Sequence, residues 1–436
     1  MKNCGVLALV HQGKSWCKEI HRKLKQLGLE TYIITTQYEN DADVVDIKDT
    51  VEWFETVDGS TLSREKVFDV IAQLESDGKK VVACIAPIEA QRLISAEVNM
   101  WLGAKDCSPA SIMIALDKYL CRKALIDAGC SKVRIEELTE SSYDIAKNQS
   151  ESKFIKPRRA AYSFGTFKLD SSRSISDIEI LTREMQEDPY VKLLTKDGVE
   201  FVIEDEIVGV EYSAEMIAYN GEGYIVAIHQ KEISQSELTV LEDRFYNPSD
   251  LNTTEITDLA IFLKRCLQTL SFHYGCFHVE FKKTAKGWEI IEVNPRPGGV
   301  LINDSIRIRS GRESLIELWL YVLLLHVTEL NTINLLAKAS ATFVENRIVS
   351  RESEIGMFQK TYFAERGKTV SSVKKNRLSV EPDIYFCNVK KGDTIPNTHK
   401  EHLVCCALWK YPVNDRERLE EIKAQSDNLF EICYND

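Results

Sequence analysis

Residues 276–299 read CFHVEFKKTAKGWEIIEVNPRPGG, and the fold turns on how this stretch pairs with itself. Two runs of alternating apolar and polar residues, Cys276–Phe281 and Trp288–Val293, flank a short polar stretch ending in Gly287. The pattern predicts a β-hairpin with a three-residue loop, Ala285–Gly287, its glycine in the left-handed position. In that register Glu280 stands directly opposite Glu292. Opposed side chains lie about 4.5–5.5 Å apart at Cβ, and like charges there repel. A shared proton would offset the repulsion. A hard divalent cation would do so better, because Mg²⁺ is held by one or two carboxylates plus phosphate oxygens. Asn294, two residues beyond Glu292 on the same face, adds a neutral oxygen. Pro295-Arg296-Pro297-Gly298-Gly299 cannot continue a central strand and sets a fixed cation and open backbone amides beside the acids. The simpler alternative is a surface hairpin whose two glutamates face water.

At 436 residues the chain is too long for one ordinary core, so about two or three domains are expected. Hydrophobic content of 44% and charged content of 28% are those of a soluble globular protein. The formal charge of −12 argues against nucleic acid or an anionic membrane as partner. Met1-Lys2-Asn3-Cys4 leads straight into a short strand without a signal-peptide pattern. The most apolar segment, Leu315–Val327, contains Glu317 and His326, is too short to span a bilayer and is read as a buried helix. The 12 cysteines are scattered through strand and helix patterns, so free thiols in a reducing cytoplasm are expected. His402 with Cys405-Cys406 lacks a second ligand pair at zinc spacing and is read as core packing.

The first hundred residues alternate strand and helix signals. Val6–Val10 is a short strand; Trp16, Ile20, Leu24 and Leu27 recur at helical spacing before Gly28. Tyr32–Thr35 and Val81–Ile85 are further strands, with Val67, Val70, Ile71 and Leu74 marking a helix between them. This predicts a doubly wound α/β domain over 1–107. His11-Gln12-Gly13-Lys14 holds a single glycine, so the dinucleotide fingerprint is missing. Ser108-Pro109 opens a helix expected to carry Asp117-Lys118 and to run through Leu125. A strand ending in Lys156-Pro157 and a polar loop, Arg158–Thr166, follow. Residues 201–228 read as strand, turn, long strand, Asn220-Gly221 turn and strand. Ile256, Leu259, Phe262, Leu263, Cys266, Leu267 and Leu270 form an amphipathic helix closing at Gly275. A central domain is placed at 108–335. A strand-rich C-terminal domain, with a turn at Lys391-Gly392-Asp393 and a helix near Arg416–Lys423, is placed at 336–436.

The acid, short hairpin, then E-x-N with trailing arginine and glycines resembles the metal-binding end of the ATP-grasp superfamily. The resemblance covers the whole chain in domain order and is strongest between Ser108 and Gly311. It implies a mixed α/β and α+β protein with the ATP-grasp fold: an N-terminal doubly wound domain, a central two-subdomain nucleotide-binding unit and a C-terminal part completing the site. Glu280, Glu292 and Asn294 would hold Mg²⁺, with Mn²⁺ as a substitute. Lys118 and Lys156 match the two lysines that neutralise the α- and β-phosphates of ATP. Arg158–Thr166 lies where the superfamily folds a Gly-rich flap over the phosphates. Here only Gly165 is present, beside Ser163, and Arg158 and Arg159 are candidates for the missing positive charge; an exposed basic loop is the alternative. Phe201–Glu211 resembles the adenine hinge, with Glu204, Asp205 and Ile207 at the base and Glu211 on the ribose; acids on the wet face of a hairpin are the alternative. Lys231 matches a lysine aimed at the transferring phosphate. Arg296 is assigned to the substrate carboxylate and to the oxyanion formed on amine attack, with Gly298 and Gly299 offering amides to the same oxygens; a salt bridge within the loop is the alternative.

The resemblance implies a ligase that joins a small carboxylate, such as an amino acid, to an amine through an acylphosphate, releasing ADP and phosphate. The L-amino-acid and dipeptide ligases with the NPRPGG ending are the most similar branch. A biotin-carboxylase-like or purine-pathway ligase shares the core and is the second enzyme reading. A nucleotide-binding regulator without turnover is the third. The partners expected are small molecules in the cytoplasm, with a homodimer allowed.

Overall fold

The computed structural model describes residues 3–14, 16–39, 42–169, 174–195, 198–235, 240–311, 313–327, 342–344, 347–349 and 353–435. Its first unit is a parallel sheet in the order β3-β2-β1-β4, from β1 (Cys4–Val10), β2 (Glu30–Thr36), β3 (Trp53–Val57) and β4 (Lys80–Ile85). Alternate residues of β1 serve opposite faces. Val6, Ala8 and Val10 pack with Ile20 and Leu24 of α1 (Cys17–Gln26), while Leu7 and Leu9 pack with Val67 and Val70 of α2 (Arg64–Ser76). This is the doubly wound arrangement expected. The sequence patterns left out two elements, β3 and α3 (Glu89–Leu102). β3 is an edge strand with no fully buried residue, and the buried face of α3 is largely polar, with Glu89, Gln91, Arg92, Ser95 and Asn99. Neither presents the apolar period that marks an element.

The single helix expected after Ser108 is two helices, α4 (Pro109–Leu116) and α5 (Lys118–Asp127). Asp117 between them is extended (φ −105°, ψ 105°), and its carboxylate accepts from the backbone N–H of Tyr119 and Leu120 at 3.1 Å each. An aspartate suited to capping has started a new helix within an apolar run, and Lys118 becomes its first residue.

A small antiparallel sheet follows, in the order β5-β8-β6-β7, from β5 (Ile135–Glu137), β6 (Lys153–Pro157), β7 (Phe167–Lys168) and β8 (Phe201–Asp205). With α6 (Glu140–Lys147), α7 (Ile175–Glu187) and the one-turn α8 (Val191–Leu194) it encloses its own core around Ile155, Phe164, Leu181 and Met185. The chain then crosses to a large antiparallel sheet beginning with β9 (Val210–Tyr219), so the expected strand–turn–strand over 201–219 is split between two sheets. Gly209 lies on the crossing. A Cβ there would stand 2.3 Å from the carbonyl oxygen of Lys283.

The large sheet runs β13-β12-β9-β10-β11, through β10 (Glu222–Gln235), β11 (Val240–Asn247), β12 (Gly275–Thr284) and β13 (Gly287–Asn294). It continues into Ile355–Phe363, Leu403–Pro412 and Ile384–Cys387. One sheet thus joins strands from either side of the expected boundary at 335/336, which itself lies outside the described residues. One face packs Val279, Phe281, Ala214 and Met216 on α4, α5 and α9 (Thr253–Thr269). Against part of the other face lie α10 (Ile302–Ser310) and the wholly buried α11 (Leu315–Leu323), which share a core with the N-terminal sheet.

The hairpin itself is tighter than expected. The ladder resumes at Thr284↔Gly287, leaving Ala285-Lys286 as a two-residue turn, with Thr284 Oγ1 donating to the Gly287 carbonyl at 2.8 Å. That alone would place Glu280 opposite Ile291. A β-bulge at Ile291 restores the register, so that Phe281 pairs with Ile290 and Glu280 with Glu292. Two deviations cancel, and the acids meet as expected.

Replacing Gly209 by alanine forces the hinge away from β12 and is expected to destabilise the protein by about 1–3 kcal/mol. A drop in the urea unfolding midpoint checks this; an unchanged midpoint would contradict the close approach.

Candidate functional site

The polar face of the large sheet is built by alternation. Asn294 and Glu292 of β13, His278 and Glu280 of β12, Glu215, Ser213 and Glu211 of β9, and His229 and Lys231 of β10 fall in adjoining register rows. Each of the two opposed acids meets a lysine: Lys231 Nζ is 2.7 Å from Glu280 Oε1 and equally 2.7 Å from Glu242 Oε1, and Lys118 Nζ is 2.9 Å from Glu292 Oε1. The hairpin is therefore not a surface hairpin with solvated acids. Burial opposes ionisation of Glu280, but Lys231 and His278 hold its carboxyl well below the usual range. Burial likewise opposes the charge on Lys118, and Glu292 followed by Glu89 more than restores it. Asn294 is buried opposite His278. Among the described residues no three His, Cys, Asp or Glu side chains form a complete cage for a metal ion. Two carboxylates and one amide oxygen instead fit a cation such as Mg²⁺ that takes its remaining oxygens from a phosphate ligand and water.

Beneath the acids lies a buried polar relay that the sequence reading did not identify. His278 contacts Glu215 Oε1 through Nδ1 at 2.7 Å and Glu280 Oε1 through Nε2 at 3.0 Å. Ser213 donates to the same Glu215 oxygen at 3.1 Å, and His229 reaches Ser305 of α10 at 2.8 Å. Burial disfavours the imidazolium of His278, yet the two carboxylates push its pKa up to about 9. Burial also disfavours the Glu215 carboxylate, yet His278 and His229 hold it well below the usual range. Gly298 closes over this relay: a Cβ would meet His278 Nδ1 at 2.8 Å and Glu215 Oε2 at 3.0 Å. Gly299 faces open space. The signal available in sequence was the H-x-E spacing, which puts His278 and Glu280 on one strand face.

Lys156, at the end of β6, is buried with its amine 2.6 Å from Glu204 Oε1, and Arg122 Nε approaches the other oxygen of the same carboxylate at 3.4 Å. Burial opposes ionisation of Glu204, but the two cations hold its carboxyl below the ordinary range. The Arg158–Thr166 loop joins β6 to β7 and covers Lys118, whose backbone N–H donates to the Arg158 carbonyl at 2.9 Å. Arg158 is tied to Asp117 and Glu200 at 2.7 Å each, so it is a brace of this loop. Arg159 lies 3.5 Å from Asp117 and stays more exposed. Tyr162, Ser163 and Gly165 all have positive φ, and a Cβ on Gly165 would approach Met185 Sδ to 2.9 Å.

At the hinge, Asp205 and Glu206 donate their backbone N–H to Arg134 and Ser152, and the Asp205 side chain pairs with Lys153 and Arg134. Those two N–H groups are engaged within the sheet, which moves any backbone donor for a base to Ile207 or beyond. Val208, 72% exposed, stands beside it. Glu211 lies 3.9 Å from Lys231 and 3.5 Å from Lys282. Burial pushes its carboxyl up to about 7, with Lys231 opposing only in part.

Arg296 Nη2 is 3.3 Å from Glu89 Oε2, and its Nη1 donates to the Pro297 carbonyl at 3.0 Å. The salt bridge runs to the N-terminal unit, not within the loop. Arg92 on the same helix α3 donates to the Pro295 carbonyl at 2.6 Å and pairs with Asp106. The loop bearing Arg296 is thus held from α3. Glu89 and Arg92 escaped the sequence reading because they lie about two hundred positions upstream in an unremarked helix. Register and ion pairs bring Lys118, Lys231, Glu211, Glu280, Glu292 and Asn294 together on one polar sheet face, Arg296 beyond the end of β13 pairs with Glu89 of the first unit, and Lys156 pairs with Glu204 of the small sheet.

The ATP-grasp domain family model matches residues 150–304. The full-length fold is similar to that of the L-amino acid ligase of Bacillus licheniformis, with a TM-score of 0.73 and 16% identity over 100% of both chains. It is also similar to phosphoribosylglycinamide synthetase of Anaerococcus prevotii (TM-score 0.63, 13% identity, 99% of this chain and 100% of that one). A third similar structure is the biotin carboxylase domain dimer of Hydrogenobacter thermophilus 2-oxoglutarate carboxylase, in complex with MgADP, ADP and bicarbonate (TM-score 0.65, 13% identity, 98% and 90%). No curated protein matches the chain in sequence. Residues 150–304 thus match an ATP-grasp domain, and the whole chain shares the mixed α/β fold of these structures.

A prediction follows from Glu211. With a carboxyl raised from 4.5 to about 7, the native state keeps a proton that the unfolded chain loses, so stability falls as pH rises through that window and the full cost remains above it. At about 1.4 kcal/mol per pH unit, Glu211→Gln should gain on the parent by up to about 3 kcal/mol between pH 4.5 and pH 8. Urea unfolding at both pH values measures the difference; a constant gap would refute it.

Proposed function

We propose that this protein is an ATP-dependent ligase that joins a small carboxylate to an amine through an acylphosphate. The observation that carries this reading is the register pair Glu280↔Glu292, each acid neutralised by a separate lysine, with Arg296 held just beyond the end of the strand. Such an arrangement is poised to exchange lysine contacts for a cation and phosphate oxygens at little net charge cost. The similarity to an L-amino acid ligase, the highest in TM-score among the three structures compared, supports the carbon–nitrogen branch and an amino acid as the carboxylate.

Phosphoryl transfer needs in-line positioning and charge neutralisation more than covalent help from the protein. Lys118 and Lys156 would neutralise the α- and β-phosphates, and the Ser163–Gly165 turn would cover them. The hinge around Ile207 would receive the adenine, and Glu211 the ribose hydroxyls. Glu280, Glu292 and Asn294 would hold Mg²⁺, which would supply positive charge to offset that developing on the phosphates. Lys231 would stand behind Glu280 and steady the transferring group. Arg296, with the amides of Gly298 and Gly299, would bind the substrate carboxylate and then the oxyanion formed when the amine attacks.

The test is phosphate release from ATP by purified protein with Mg²⁺ and a panel of amino acids. Release should require carboxylate and amine together. Glu292→Ala should lower it at least 10³-fold while leaving the circular-dichroism spectrum and melting profile of a folded protein. Full activity in that variant would overturn the metal assignment. Nucleotide binding without release under any mixture would favour a regulatory protein instead.

A further inference from the structure

Glu89 has no part in the scheme above, yet it is the most deeply placed charge beside the substrate arginine. Its side chain is 4% exposed and comes from a different structural unit, at the first residue of α3. An acid in the first turn of a helix is ordinarily solvent-exposed and stabilises the helix dipole. Glu89 instead turns inward, 3.3 Å from Arg296 Nη2. The groups acting on it come from every neighbouring element: Arg296 in the loop after β13, Glu292 on β13, Lys118 on α5, and Tyr190 ahead of α8. Burial raises its carboxyl, Arg296 opposes this and Glu292 adds to it, so that Glu89 accepts a proton more readily than an ordinary glutamate. Around it stand aromatic rings. Tyr190 lies 5.4 Å from Tyr162 and 5.5 Å from His11, and Lys400 Nζ stands 5.3 Å from the centre of the Tyr162 ring. Aromatic faces beside a buried carboxylate attract a cation that has left water.

Resting on the ligase reading, we infer that Glu89 binds the ammonium group of the amine substrate and removes its proton, making Glu89 the general base of the second half-reaction. An ammonium has no lone pair to attack with. Its proton passes to a Glu89 oxygen, and the freed nitrogen pair then forms the C–N bond at the carbonyl carbon of the acylphosphate. The C–O bond to phosphorus's oxygen breaks as phosphate departs with the electron pair, and the second N–H proton goes to that phosphate. Arg296 carries the developing oxyanion one hydrogen bond away, so the base sits on the side where the nucleophile must arrive.

The test compares two nucleophiles on the same acylphosphate. Hydroxylamine is uncharged at neutral pH and needs no base; the best amino acid of the panel arrives as an ammonium. At pH 7, Glu89→Gln should lose at least 100-fold more kcat/KM with the amino acid than with hydroxylamine. That excess should shrink as pH rises toward the amine's own pKa. Equal losses with both nucleophiles at every pH would mean that Glu89 only braces Arg296, and would overturn the inference. If the glutamine variant does not fold, Glu89→Asp is judged by the same asymmetry, since a shortened base still discriminates the two. No phosphate release by the parent protein with any pairing of the panel would remove the ligase reading, and this inference with it.

Discussion

Two like charges facing each other across a β-ladder are an energetic liability, and most of this molecule is arranged around relieving it. Left alone, Glu280 and Glu292 would repel or share a proton. Lys231 reaches Glu280 from the neighbouring half of the same sheet, whereas Lys118 reaches Glu292 from the first turn of α5. The second contact depends on the helix break at Asp117. Were the apolar run one continuous helix, Lys118 would lie mid-helix, without the free N-terminal turn that aims it at Glu292. Asp117 also anchors Arg158, so the same carboxylate fixes the start of the helix bearing Lys118 and the loop that follows β6.

The sequence made the hairpin legible because period-two alternation and a glycine-ended turn leave few ways to pair the strands. It did not make the turn length legible. A two-residue turn plus a bulge gives the same Glu280↔Glu292 pairing as a three-residue turn without one, and only the pairings between turn and bulge distinguish them. Lys118, Lys156 and Glu211 were readable through motif resemblance. Their partners were not: Glu204 was read as a hinge residue, yet its side chain neutralises Lys156. Glu89 and Arg92 were invisible for a different reason. They sit on a helix whose inward face is polar, so no apolar stripe announced it, and their contacts with Arg296 and Pro295 join distant parts of the chain. Periodicity finds elements that bury oil; it misses elements that bury charge.

The pKa directions explain why this polar interior is tolerable. His278 is held protonated between Glu215 and Glu280, and Glu215 is held ionised by two histidines. Each charge is opposed by a neighbour of opposite sign, so the buried rows approach neutrality in pairs. A buried pair contributes little net stability, but removing one member leaves the other uncompensated, which is far more costly. That asymmetry makes the arrangement sensitive to substitution.

The same asymmetry bears on how such a site would fill. The small sheet contributes Lys156 and the Arg158–Thr166 loop, the large sheet contributes the acids, and the N-terminal sheet contributes Glu89 through α3. Ion pairs also link these units: Arg296 with Glu89, and Lys400 with Asp188. Ionic contacts can be exchanged for a charged ligand without exposing apolar surface, whereas an apolar seam would have to be broken. One hydrophobic core runs from the N-terminal sheet through α10 and α11 into the large sheet, whereas the small sheet keeps a core of its own. Apolar burial therefore fixes the N-terminal and large sheets together, and at the opposed acids a polyanion and its counter-ion would replace lysine–glutamate bonds with bonds of the same kind.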